Sequence, residues 1–225
     1  MTRARNIAIG EYYHVYNRAT NKRGVFTEKE DRMRFLFLIL YAQSPLTFLH
    51  ITRIVRAGSL AEGFPLEFEV QEKITRNRFV ELVAFSLMPN HFHLLVKEKD
   101  EGGVSKYAQR LQLGYTKYFN ERYSSSGHVF QGRYQSVRVR DNRQLMYLSA
   151  YIHRNPRELK EWREREEAYP YSSLQDYVDK NRWGGLLATD IIASQFEGTA
   201  KSNYRDFVRT STAKILTDEL EGLSL

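Results

Sequence analysis

Two runs of strand-forming residues stand three residues apart: Val83-Ala84-Phe85-Ser86-Leu87 and His91-Phe92-His93-Leu94-Leu95-Val96 flank Met88-Pro89-Asn90. Strand propensity on both sides of turn punctuation reads as a β-hairpin, which commits the chain to an antiparallel sheet. Other segments can be placed around it. Residues 11–17 alternate aromatic or branched with polar side chains and read as a first strand, followed by a loop at 20–24. From Thr27, with Glu30 three residues on as a capping box, the apolar positions Phe35, Leu36, Leu38, Ile39 and Ala42 have helical spacing, and Ser44-Pro45 ends the run. A second helix spans about 103–123 and breaks at Ser124-Ser125-Ser126-Gly127. Residues 133–140 have period two and a basic side, as a fourth strand would. Asp141 or Asn142 can cap a last helix carrying Leu145, Leu148 and Ile152, bounded by Pro156.

The order β-α-β-β-α-β-α predicts an α+β fold, a ferredoxin-like or RRM-like antiparallel sheet with helices packed on it. One domain over residues 6–160 is expected, with an insertion around 46–77. Within that insertion Phe48 to Val55 reads as a possible strand, 58–65 as loop, and 66–70 as a segment that could pair back. Residues 161–225, opening with a mixed-charge run, read as a helical, partly mobile tail.

The chain has no cysteine, so thiolate catalysis, disulfides and cysteine-bound zinc are excluded, and a metal would need nitrogen and oxygen ligands. No apolar run is long enough to cross a membrane, and the N-terminus lacks the apolar stretch of a secretion signal. A soluble, intracellular protein is expected. The formal charge is +7, and residues 101–160 hold eleven Lys and Arg against four Asp and Glu, so this one segment accounts for the whole excess. Tyrosines 107, 115, 118, 123, 134, 147 and 151 are interleaved with those cations, the mixture that combines phosphate neutralisation with base stacking. Lys117, Arg122, Arg133, Tyr134, Arg138 and Arg140 are the candidate nucleic-acid-binding residues, since arginine forks suit phosphates and guanine edges and tyrosines suit unstacked bases.

Residues two apart on a strand share a face, so His91 and His93 stand side by side, as half of a metal site. On the last helix Tyr147, Tyr151 and Asn155 form one stripe and the aliphatic residues another, so Tyr151 and Asn155 can face one target. A phenol attacks at neutral pH only where a metal or base favours its ionised form or stabilises charge on the phosphate. His14, His50, His128 and His153 read as structural or DNA-facing.

Three runs, taken in order, resemble the single-tyrosine HUH transposases of bacterial insertion sequences, and most closely the REP-associated tyrosine transposases. They are Met88-Pro89-Asn90-His91-Phe92-His93-Leu94-Leu95-Val96, residues 126–136 (SGHVFQGRYQS), and Tyr151-Ile152-His153-Arg154-Asn155-Pro156. Residues 13–18 and 169–173 look like that group too, so the resemblance covers about 10–175. It implies that His91 and His93 bind a divalent metal, magnesium or manganese, with Asn155 as third ligand. It also implies that Tyr151 attacks a phosphate of single-stranded, hairpin-containing DNA, leaving a 5′-phosphotyrosine and a free 3′-hydroxyl that can later rejoin strands. Tyr147, one turn earlier, is the alternative or second nucleophile. A monomer is expected rather than a homodimer. The competing reading is a non-catalytic RRM-like module that binds single-stranded nucleic acid.

Overall fold

The computed structural model describes residues 8–196 and 200–220; the outermost parts of the expected domain and tail, 6–7, 197–199 and 221–225, lie outside them. Four strands, β1 (Tyr12–Arg18), β2 (Val80–Leu87), β3 (His91–Glu98) and β4 (Gln135–Arg138), form one antiparallel sheet in the order β2-β3-β1-β4. That order is the ferredoxin-like one expected from the sequence. β2 and β3 are the predicted hairpin. β4 is shorter than the expected 133–140.

One face of the sheet carries α1 (Lys29–Tyr41) and α4 (Gly103–Arg122), and the other carries α5 (Asn142–Arg154). Alternation along the strands feeds both layers. Val15, Phe92, Leu94 and Val96 pack with Phe35 and Tyr115 on the first face, while Leu95 packs with Leu148 and Ile152 on the second. A register shift between Leu82 and Ala84 breaks the alternation of β2, and Val83 and Ala84 both join the α5 layer.

Helix ends differ slightly from expectation. The capping box of α1 is Glu28 with Asp31, one residue after the expected Thr27 with Glu30, because Asp31 is also drawn into the fold by the hydroxyls of Tyr118 (3.0 Å) and Tyr123 (2.7 Å). α4 starts where the buried Glu98 carboxylate accepts the backbone N–H groups of Gly103 (2.9 Å) and Val104 (2.6 Å), a negative charge at a helix N-terminus. Asp141 caps α5 by accepting from the Gln144 N–H at 2.8 Å, as predicted.

The insertion is corrected. Residues expected as strands form two short helices, α2 (Ile51–Ala57) and α3 (Phe68–Arg76), whose Val55 and Ile74 reach the first core. Branched residues there pack on a helix face rather than on a sheet, and tertiary burial overrides their strand propensity. Beyond residue 160, α6 (Leu174–Val178), α7 (Asp190–Ala193), α8 (Ala200–Thr210) and α9 (Ala213–Glu219) follow, and Tyr177, Tyr204, Val208 and Leu216 complete the core over α5. The segment 169–173 lies along the β2 edge: Tyr171 O accepts from Leu87 N (2.9 Å) and Phe85 O from Ser173 N (3.0 Å). It covers backbone groups that an open edge would expose.

Candidate active site

β1 and β3 run antiparallel with Arg18 opposite His91 and Tyr16 opposite His93, so the even-numbered positions of β1 and the histidines of β3 share the face under α5. The hairpin places His91 and His93 in the two adjacent positions predicted, with ring centroids 5.1 Å apart. α5 crosses above them. Its apolar stripe docks on the sheet, and one turn from its end the Tyr151 ring stands edge-on to His93 at 5.4 Å and to His14 at 6.1 Å. The structure therefore brings together the phenol and the paired imidazoles, which sequence spacing alone could only suggest.

Asn155 closes the cluster at the C-terminus of α5. Its Nδ2 donates to the Tyr151 carbonyl at 3.0 Å, while its buried Oδ1 has no hydrogen-bond partner. Buried polar atoms are nearly always paired, so this oxygen has room for a donor or a cation, and the Asn155 side chain already acts on its neighbours, raising His91 and lowering Tyr151 against the effect of burial. The two rings are held from behind. Asn90 Oδ1 accepts from His91 Nδ1 (2.7 Å), and Asn90 Nδ2 donates to Lys22 O (2.9 Å), which fixes the amide orientation. His93 Nδ1 lies 2.9 Å from His14 Nε2. Nε2 is the remaining nitrogen on both His91 and His93. Two imidazole nitrogens and one amide oxygen suit a first-row divalent cation with open positions for substrate oxygens. Among the described residues no group of three or more His, Cys, Asp or Glu could hold a metal, so a metal at this cluster would need a donor of another type.

Burial sets the charge of the site. Desolvation, followed by the Arg18 charge, pushes His91 down to about 4, and desolvation with the neighbouring His14, His91 and Arg18 drives His93 well below the usual histidine range. Both rings are neutral at physiological pH, the form that ligates a metal. Burial raises the Tyr151 phenol, and Asn155 and Arg18 counter part of that rise. The phenol is protonated at neutral pH and would have to lose its proton to act as a nucleophile.

Arg18, His14 and Tyr16 were not singled out as site residues from sequence. The available signal was period two: once β1 pairs with β3, they share the face of His91 and His93. The basic candidates separate. Arg133 and Arg140 are exposed on either side of β4, and Arg138 is exposed there but bound to Glu11 at 2.9 and 3.1 Å. Lys117 and Arg122 belong to α4, across the sheet from Tyr151, and Arg122 lies 3.5 Å from Asp31. Tyr134 meets Ser105 Oγ at 2.8 Å. Of the interleaved tyrosines, Tyr107 and Tyr115 are fully buried and donate to Ile39 O (2.7 Å) and Val25 O (2.5 Å), so these two pack the core and do not stack bases. Tyr147 packs on Phe207 of α8 with ring centroids 5.1 Å apart.

The family described as "Transposase IS200 like" matches residues 67–155, from α3 through the hairpin to Asn155. Over that stretch the chain is similar to the IS200-like transposases. The matched stretch ends on Asn155 and contains His91, His93 and Tyr151. The fold is similar to that of a solved REP-associated tyrosine transposase bound to a REP hairpin, with a TM-score of 0.51, 16% identity, and coverage of 85% of this chain and 93% of that one. No curated protein matches the sequence. No helix among the described residues is long and apolar enough to cross a membrane.

Proposed function

We propose that this protein is a tyrosine transposase that cleaves and rejoins single-stranded, hairpin-containing DNA, with Tyr151 as nucleophile and His91, His93 and Asn155 as ligands of a divalent metal, magnesium or manganese. The observation that carries this reading is the convergence of the Tyr151 ring, the His93 ring 5.4 Å away and the unpartnered Asn155 oxygen under one helix end. The match of 67–155 to IS200-like transposases supports it. So does the hairpin held by the structurally similar REP-associated protein.

When bound, the metal would supply Lewis-acid stabilisation of charge on the phosphate. Tyr151 Oη gives up its proton and attacks the phosphorus, the bond from phosphorus to the 3′ oxygen breaks, and the departing oxygen takes up a proton to become a 3′-hydroxyl, so no proton is consumed overall. The products are a 5′-phosphotyrosine and a free 3′ end. The same geometry run backwards joins strands, and no nucleotide cofactor is consumed because the phosphodiester's energy stays in the covalent link. Arg18, whose charge already acts on Tyr151 and both histidines, is placed to neutralise the phosphate. The exposed Arg133 and Arg140, with Arg138, Tyr134, Lys117 and Arg122, are proposed to grip the DNA.

Incubation with a labelled hairpin oligonucleotide and Mg²⁺ or Mn²⁺ should give an adduct that survives denaturation and maps to Tyr151, and Tyr151→Phe should give none. A wild type that cuts DNA through water without an adduct, or binds it without cutting, overturns the assignment. An adduct retained in Tyr151→Phe and lost in Tyr147→Phe would move the nucleophile one turn.

A further inference from the structure

His14 has no role in the chemistry above, yet it is fully buried at the centre of β1, with Nε2 2.9 Å from His93 Nδ1. Its ring lies 5.1 Å from that of His93 at an interplanar angle of 16°. Its own Nδ1 is buried with no hydrogen-bond partner. A polar side chain placed at the centre of a sheet with only one bond holds whatever that bond holds.

Two neutral imidazoles sharing one hydrogen bond have two arrangements. If His14 donates, His93 Nδ1 uses its lone pair, the ring's hydrogen sits on Nε2, and that nitrogen cannot ligate a cation. If His93 donates from Nδ1, its Nε2 lone pair is free, and the hydrogen of neutral His14 then sits on its unpartnered Nδ1 at a desolvation cost that the rest of the site must offset. His91 provides the comparison, because its Nδ1 faces an amide oxygen that can only accept, and that amide is locked by its bond to Lys22 O. His91 therefore keeps Nε2 open, and His93 requires an acceptor in the equivalent place. The residue there is His14.

We propose that His14 is a positioning residue that accepts the His93 Nδ1–H and so fixes the His93 ring, which lies against Tyr151, in the tautomer whose Nε2 lone pair is free. The ligand served is the divalent cation, so the purpose of the arrangement rests on the proposed metal site, while the tautomer itself does not. Outer partners of metal-bound imidazoles fix ring orientation and basicity in this way, and their loss costs about 10- to 100-fold in metal affinity.

The test has two arms. In metal-free protein with ¹⁵N-labelled histidine, long-range ¹H–¹⁵N correlation should show His93 protonated on Nδ1 and bare on Nε2; the opposite tautomer overturns the proposal with no metal involved. Mn²⁺ binding, followed by the paramagnetic signal of the free ion, should weaken about 10- to 100-fold in His14→Leu. His14→Gln, whose amide oxygen can accept the same hydrogen, should recover most of the loss. Equal weakening in both variants, at matched thermal stability, would reduce His14 to a packing residue. A wild type with the expected tautomer that binds no Mn²⁺ would sink the metal reading and leave the His14 contact standing.

Discussion

Arg18 ends β1 directly opposite His91, and its charge acts on three groups of the site. A cation disfavours protonated imidazole and favours phenolate, so Arg18→Ala should raise the pKa of His91, His93 and Tyr151 together. We expect adduct formation to fall about tenfold, or ~1.4 kcal/mol of transition-state stabilisation, with its alkaline limb displaced to higher pH. Rate–pH profiles of the variant check this, and an unshifted profile would show that Arg18 only binds DNA. His91, His93 and Tyr151 were legible as candidates in the sequence, because period two and period 3.6 place them on definite faces. Arg18 and His14 were not, because their relation to the site passes through strand pairing between residues some eighty positions apart.

At the scale of the element, α4 depends on a tight start. A Cβ on Gly103 would come within 2.2 Å of the Phe79 carbonyl oxygen, a backbone atom that cannot step aside. Gly103→Ala should displace α4 from the sheet and lower stability by about 1–3 kcal/mol, read as a lower denaturant midpoint at constant slope. An unchanged midpoint would mean that the helix entry relaxes freely. The hairpin, α1, α4 and α5 could be read from periodicity and turn residues. The insertion at 46–77 could not, because its short apolar runs fit strand and helix equally, and docking of α2 onto α1 and of α3 onto the turn at Gly184–Leu186 decided for helix.

At the scale of the whole molecule, four imidazoles are buried: His14, His91, His93 and His153, the last between Tyr204 Oη (2.6 Å) and Ser173 Oγ (2.8 Å). Burial holds His14 and His153 down to about 3 and His91 to about 4, and holds His93 well below its usual range. The unfolded chain takes up these protons below about pH 6.5 and the folded chain does not. Stability should thus be insensitive to these groups above about pH 7 and fall as the pH drops through 6 toward 4, by up to about 1.4 kcal/mol per pH unit for each buried histidine. Melting temperatures in chelator across that range test it, and a flat profile from pH 7 to 4 would contradict neutral burial of the rings.

The sequence by itself determined which faces exist: alternation on β1 and β3 and the helical stripe of α5 assign each side chain a side, since backbone geometry fixes those periods locally. Only the tertiary structure decided which faces meet. Pairing of β1 with β3 set His14 behind His93, docking of α5 set Tyr151 over both, and burial neutralised the rings. Those are distance-dependent effects between segments far apart in the chain, and no local pattern encodes them.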